Sequence, residues 1–140
     1  MFERILVPVD LTAKNRLALE AACRLLAPGG ELVILHVVER LADDDGGAEE
    51  IDGFYAALER RAREVLRELG DHARRQGAGV REELVVGHRV EEIVAAAARE
   101  GSDLLVVASH RLDPEAPFAD GLSVSYRVAL LAPCPVLLVK

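Results

Sequence analysis

Apolar and polar positions divide the chain into runs of two kinds. "RILVPV" (residues 4–9), "ELVILHVVE" (31–39) and "DLLVVAS" (103–109) are continuous apolar stretches, too short for buried helices and rich in β-branched residues. That pattern predicts strands covered on both faces. "VREELVV" (80–86) is a weaker, partly alternating strand, and "PVLLVK" (135–140) is a last apolar one. Between them the period changes to three and four. Leu17, Ala21 and Leu25, with Ala18 and Ala22 beside them, predict a helix over 13–27, with Thr12 as its cap and "APGG" as its stop. Phe54, Leu58, Val65, Leu66 and Leu69 mark one face of a long amphipathic helix over 49–76, whose acidic start and basic end suit the helix dipole. "RVEEIVAAAARE" (89–100) and "LSVSYRVALLA" (122–132) read as shorter helices, the second with a serine at its cap position.

The order is β-α-β-α-β-α-β-α-β. Strict alternation with crossover helices predicts an α/β fold, a doubly wound parallel sheet with helices on both faces. Ligands of such sheets bind outside the carboxyl ends of the strands, where strand order reverses. Those ends carry Asp10, Val37 to Glu39, and Ala108 to Arg111. The acidic stretch "DDDGG" (43–47) reads as a solvated loop.

Composition narrows the function. Half of the 140 residues are hydrophobic and aromatics are scarce, so one domain with a Val, Leu, Ile and Ala core is expected. The 17 Lys and Arg are outnumbered by 24 Asp and Glu, a balance that speaks against a nucleic-acid surface. No run reaches the roughly 18 apolar residues of a membrane span, and the opening "MFERILVPVD" lacks a signal-peptide core, so a cytoplasmic location is expected. Cys23 and Cys134 lack the spacing of a zinc or redox pair and read as reduced structural thiols. No metal motif is visible.

"ILVPVD", "LHVVE", Gly87, "DLLVVASH" and "APCPVLLVK", in this order and spacing, resemble a universal stress protein domain over residues 1–140. The resemblance implies an adenine-nucleotide alpha hydrolase-like fold with strand order 3-2-1-4-5, a homodimer and a role in stress resistance. Some members of the family bind ATP and others do not. The ligand-binding positions implied are Pro8, Val9 and Asp10 after the first strand, Val37 after the second, and Ala108, Ser109, His110, Arg111, Gly121 and Ser123 around the loop after the fourth. ATP-binding members carry Gly, two residues, Gly, nine residues, then Gly followed by Ser or Thr. Laying the first Gly on Ala108 puts the third on Gly121 with Leu122 as the hydroxyl position. Anchoring on "APCPVLLVK" puts the third on Leu122 and the hydroxyl on Ser123. Arg111 stands where a glycine would leave room for a triphosphate.

Each candidate has a plainer role beside the functional one. Asp10 contacts adenine or caps the first helix. Val37 offers backbone groups to a base or simply ends a strand. Arg111 clamps an anion together with Ser123, or pairs with Asp113. His36 reads as a core histidine, and His72 and His88 as exposed ones. Adjacent Ser109 and His110 do not amount to a nucleophile and its base, and no catalytic residue is assigned. The expected function is a stress-response or regulatory module that holds ATP weakly and takes a smaller anion or other ligand at this loop. The alternative is an adenine-nucleotide binder, for ATP or AMP, with slow or no hydrolysis. A homodimer through Val136, Leu137, Leu138 and Val139 is implied; a further protein partner is left open.

Overall fold

The computed structural model describes residues 1–39, 48–109, 115 and 123–140. Five strands and four helices alternate among them: β1 (Phe2–Pro8), α1 (Asn15–Leu25), β2 (Leu26–Val38), α2 (Ala48–Arg75), β3 (Gly79–Val86), α3 (Arg89–Arg99), β4 (Leu104–Ala108), α4 (Val124–Leu131) and β5 (Val136–Val139). All neighbouring strands are parallel, in the order β3-β2-β1-β4-β5. The expected architecture and strand order are therefore present.

Successive side chains of a strand point to opposite faces, and both faces are covered. Ile5, Val7, Leu32, Ile34, Leu104 and Val106 pack with Ala18, Leu19 and Ala22 of α1 and with Val65, Leu66 and Leu69 of α2. Leu6, Val33, Leu35, Leu105 and Val107 pack on the other face with Ile93, Ala96 and Ala97 of α3 and Val128 of α4. This is why the central strands carry uninterrupted apolar runs. At the far end of α3 the chain turns at Gly101, whose φ of 61° suits a residue without Cβ. It then delivers Asp103, whose carboxylate accepts the Glu3 and Arg4 N–H groups at 2.9 Å each.

Several local expectations are corrected. The first helix begins at Asn15, with Lys14 at its cap position; Thr12 makes no cap and instead donates to Asp10. Leu19 is buried while Leu17 is 57% exposed, so the inward face lies further round the helix than the leucine spacing suggested. In α2, Tyr55 turns inward and Phe54 is 61% exposed. "APGG" does follow the end of α1, but the chain pairs through it: Leu26 meets Phe2, and the register shifts before Arg4 meets Glu31. His72 is half-buried, with Nε2 3.7 Å from Glu20 and 2.9 Å from Gln76, whereas His88 is exposed. Both cysteines are free and half-buried. Burial, aided by Glu20 near Cys23 and by Asp103 near Cys134, pushes both thiols above their usual range.

β5 is an edge strand. Val136 and Leu138 pack against the α3 and α4 side and Val139 against the other, while Leu137 is exposed. Leu130 and Leu131, at the end of α4, are also exposed. Among the described residues no helix is long and apolar enough to cross a membrane.

Candidate functional site

Strand order reverses beside β1, where β2 leaves on one side and β4 lies on the other. A cleft of about 230 Å³ opens there, between the first turns of α3 and α4 and over the carboxyl ends of β1, β2 and β4. Pro8, Val9, Asp10, Val37, Ala108 and Ser123 all line it, together with Asn15, Arg89, Ile93 and Ser125. Six residues proposed from sequence thus meet at one place. Ser109 lies just behind, joined to the wall by Ser125. His110, Arg111 and Gly121, with Asp113 and Leu122, lie outside the described residues.

Asp10 is held by the turn that follows it. Its Oδ1 accepts the Thr12 N–H at 2.8 Å, the Thr12 hydroxyl at 2.6 Å and the Asn15 amide at 3.1 Å. This closes the loop onto Asp10, and α1 is left with Lys14 at its cap position, so neither Asp10 nor Thr12 caps the helix. Partial burial raises the acid's pKa, but the Thr12 and Asn15 hydrogen bonds and the charge of Arg89 outweigh it and hold it below the usual value. The carboxylate is ionised at neutral pH. Oδ2 takes no hydrogen bond from the described residues.

Asn15 is the residue that the periodicity missed. It is only 2% exposed, and its amide donates to the carbonyls of Asp10 at 2.6 Å and Thr12 at 2.8 Å while its oxygen accepts the Asp10 N–H at 3.1 Å. A polar side chain in the first turn of a helix, five residues after a strand-end Asp, is the one trace this leaves in the sequence. His36 backs the site from behind: it is buried, and Nδ1–H donates to the Val9 carbonyl at 2.8 Å. It is a core histidine that ties β2 to the exit of β1, as expected.

The opposite wall is the start of α4. Ser123 has extended backbone and accepts the Tyr126 N–H at 3.4 Å, the cap geometry that the sequence predicted. Its hydroxyl lies 3.0 Å from that of Ser125, which in turn donates to Ser109 at 3.1 Å. The result is a chain of three hydroxyls under a helix N-terminus, whose free N–H groups and dipole favour an anion. The remaining wall is α3, where Arg89 opens the helix and Ile93 lies one turn on. Among the described residues no group of three His, Cys, Asp or Glu side chains is placed to hold a metal.

A larger open cleft, about 700 Å³, lies at the opposite pole among Arg4, Glu31, Arg81, Arg99 and Glu100. Arg81, Arg99 and their glutamates answer one another. Arg81 pairs with Glu31 at 3.3 Å and with Glu100, and Arg99 pairs with Glu83 at 3.1 Å. Burial and the neighbouring Glu100 push Glu83 up, while the hydrogen bond from Glu83, then Arg81 and Arg99, hold Glu100 down. This network lies away from the switch point, so the smaller cleft is the better candidate for a ligand site.

A five-stranded parallel sheet of order β3-β2-β1-β4-β5 with helices on both faces defines a class of doubly wound α/β domains. Within that class the chain belongs to the universal stress protein family, whose model matches residues 1–140. It is similar to a universal stress protein solved in complex with cAMP, at 28% identity and TM-score 0.77 over 99% of this chain and 97% of that one. A universal stress family protein from Burkholderia pseudomallei is also 28% identical, with TM-score 0.77 over 98% of this chain and 95% of that one. One from Archaeoglobus fulgidus, solved in complex with dAMP, shares the fold at 23% identity and TM-score 0.69, over 98% and 97% of the two chains. None of the curated proteins matches this chain.

Proposed function

We propose that this protein is a regulatory module of stress responses whose switch-point cleft binds an adenine nucleotide carrying a single phosphate. The observation that carries the reading is the placement of a few polar groups around a largely apolar cleft. An ionised Asp10, whose Oδ2 takes no hydrogen bond from the described residues, stands on one wall, and Ser123 and the N-terminus of α4 stand on another. A carboxylate accepts the exocyclic N–H of adenine, and a helix N-terminus receives a phosphate. Val37 and Ile93 supply apolar surface for the base. The volume, about 230 Å³, lies below the roughly 300–1,000 Å³ typical of small-molecule pockets. It suits a monophosphate better than a triphosphate. A relative sharing 28% of its sequence with this chain holds cAMP, which supports the choice of ligand class. In the same reading two copies join along the β5 edge, whose outer backbone row Leu137 accompanies.

Titration calorimetry on nucleotide-stripped protein tests the ligand. AMP or cAMP is expected to bind saturably, with ATP weaker. Tighter binding of ATP than of AMP overturns the size argument, and no binding of any of the three overturns the reading.

A further inference from the structure

We propose that Arg89 is the residue that makes this cleft select phosphorylated over unphosphorylated nucleosides, by presenting its guanidinium to the ligand's phosphate. The inference rests on the nucleotide reading above and adds to it a contact that the sequence did not suggest. Arg89 is the one cation among the described residues that line the cleft. As the first residue of α3 it lies one turn from Ile93, and the four-residue spacing puts both on the face turned toward the cleft.

Among the described residues its guanidinium has one weak partner. Glu39, the acid beside it, spends Oε1 on the Arg89 backbone N–H at 3.1 Å, and the side-chain approach, Nε to the same oxygen, is 4.0 Å. That distance is the outer limit of an ion pair and too long for a hydrogen bond. Neither terminal nitrogen donates a hydrogen bond to the described residues. The side chain is 42% exposed, and a ligand in the cleft can reach it. The other charged group of the cleft is Asp10, which feels Arg89 across it. A ligand phosphate entering a cleft that already holds the Asp10 carboxylate meets repulsion, and Arg89, lining the same cleft, is placed to offset it. A planar guanidinium also matches phosphate oxygens in pairs.

Calorimetry with AMP and with adenosine, on the wild type, Arg89→Met and Arg89→Lys, tests this. Arg89→Met is expected to weaken AMP about 10- to 100-fold, the range of a charge-assisted hydrogen bond, and to leave adenosine within about twofold. Arg89→Lys should recover part of the loss, since it keeps the charge but not the fork. Unchanged AMP affinity in Arg89→Met, or equal losses for AMP and adenosine, overturns the role of Arg89 and leaves the nucleotide reading standing. A wild type that binds neither ligand overturns both.

Discussion

Replacing Asn15 by Ala removes the side chain that ties the end of β1 to the start of α1. Three of its bonds reach backbone groups, the Asp10 N–H and the Asp10 and Thr12 carbonyls, and a fourth reaches the Asp10 carboxylate. Each such bond contributes about 1 kcal/mol net. Four would sum to about 4 kcal/mol if all the partners were left dry. Asp10 and Thr12 are exposed, however, and water can take over part of the lost bonding. The expected destabilisation is therefore about 2–3 kcal/mol. With a urea slope of about 2 kcal/mol/M, the unfolding midpoint falls by about 1–1.5 M. Leu17→Ala, two residues along the same helix at a position 57% exposed, serves as the control and should stay within about 0.5 kcal/mol of wild type. An Asn15→Ala protein within about 0.5 kcal/mol of wild type would refute the claim that this amide holds the loop.

At the other end of the sheet, burial works against the Asp103 carboxylate but the Glu3 and Arg4 N–H groups outweigh it, so its folded pKa lies below the ordinary value. Its stabilisation is present above the unfolded pKa of about 3.9 and is lost as pH falls through the lower folded value. The stability gap between wild type and Asp103→Asn should thus be constant near neutrality and narrow in acid; a gap that widens on acidification contradicts this. Ser123→Ala removes the cap of α4, and because the bond is long at 3.4 Å the loss should sit near the lower end of the usual ~0.5–2 kcal/mol, as read by urea unfolding. For the β5 edge, light scattering should show a wild-type dimer and a folded monomer for Leu137→Lys, which places like charges near the twofold axis while sparing the inward-packed Val136 and Leu138; a wild-type monomer contradicts the pairing.

The sheet was legible because its central strands are buried on both faces, which forces runs such as Ile5–Val7 and Leu104–Val107 to be wholly apolar. Alternation with helices then left few topologies. The helix faces were less legible. A shift of one or two residues turns Leu17 out and Leu19 in, or exchanges Phe54 for Tyr55, and spacing alone does not resolve so small a rotation. Of the site, the strand-end residues Asp10, Val37 and Ala108 and the cap Ser123 could be read because the chain position of a strand or helix end shows in the sequence. Asn15 and Arg89 could not. Their roles depend on how a turn closes and on α3 crossing to the face where β4 and α4 lie, and neither leaves a period in the sequence. Thr12 shows the same limit from the other side: a residue suited to capping found a nearer acceptor in Asp10.

The most direct test of the proposal that the cleft binds a nucleotide is an amide-resolved NMR titration with AMP. Saturable shifts are expected at Asp10, Val37, Ala108, Arg89 and Ser123 to Ser125, with the Arg81 and Arg99 pole unmoved. Shifts confined to that opposite pole, or none at AMP concentrations in the millimolar range, would contradict it.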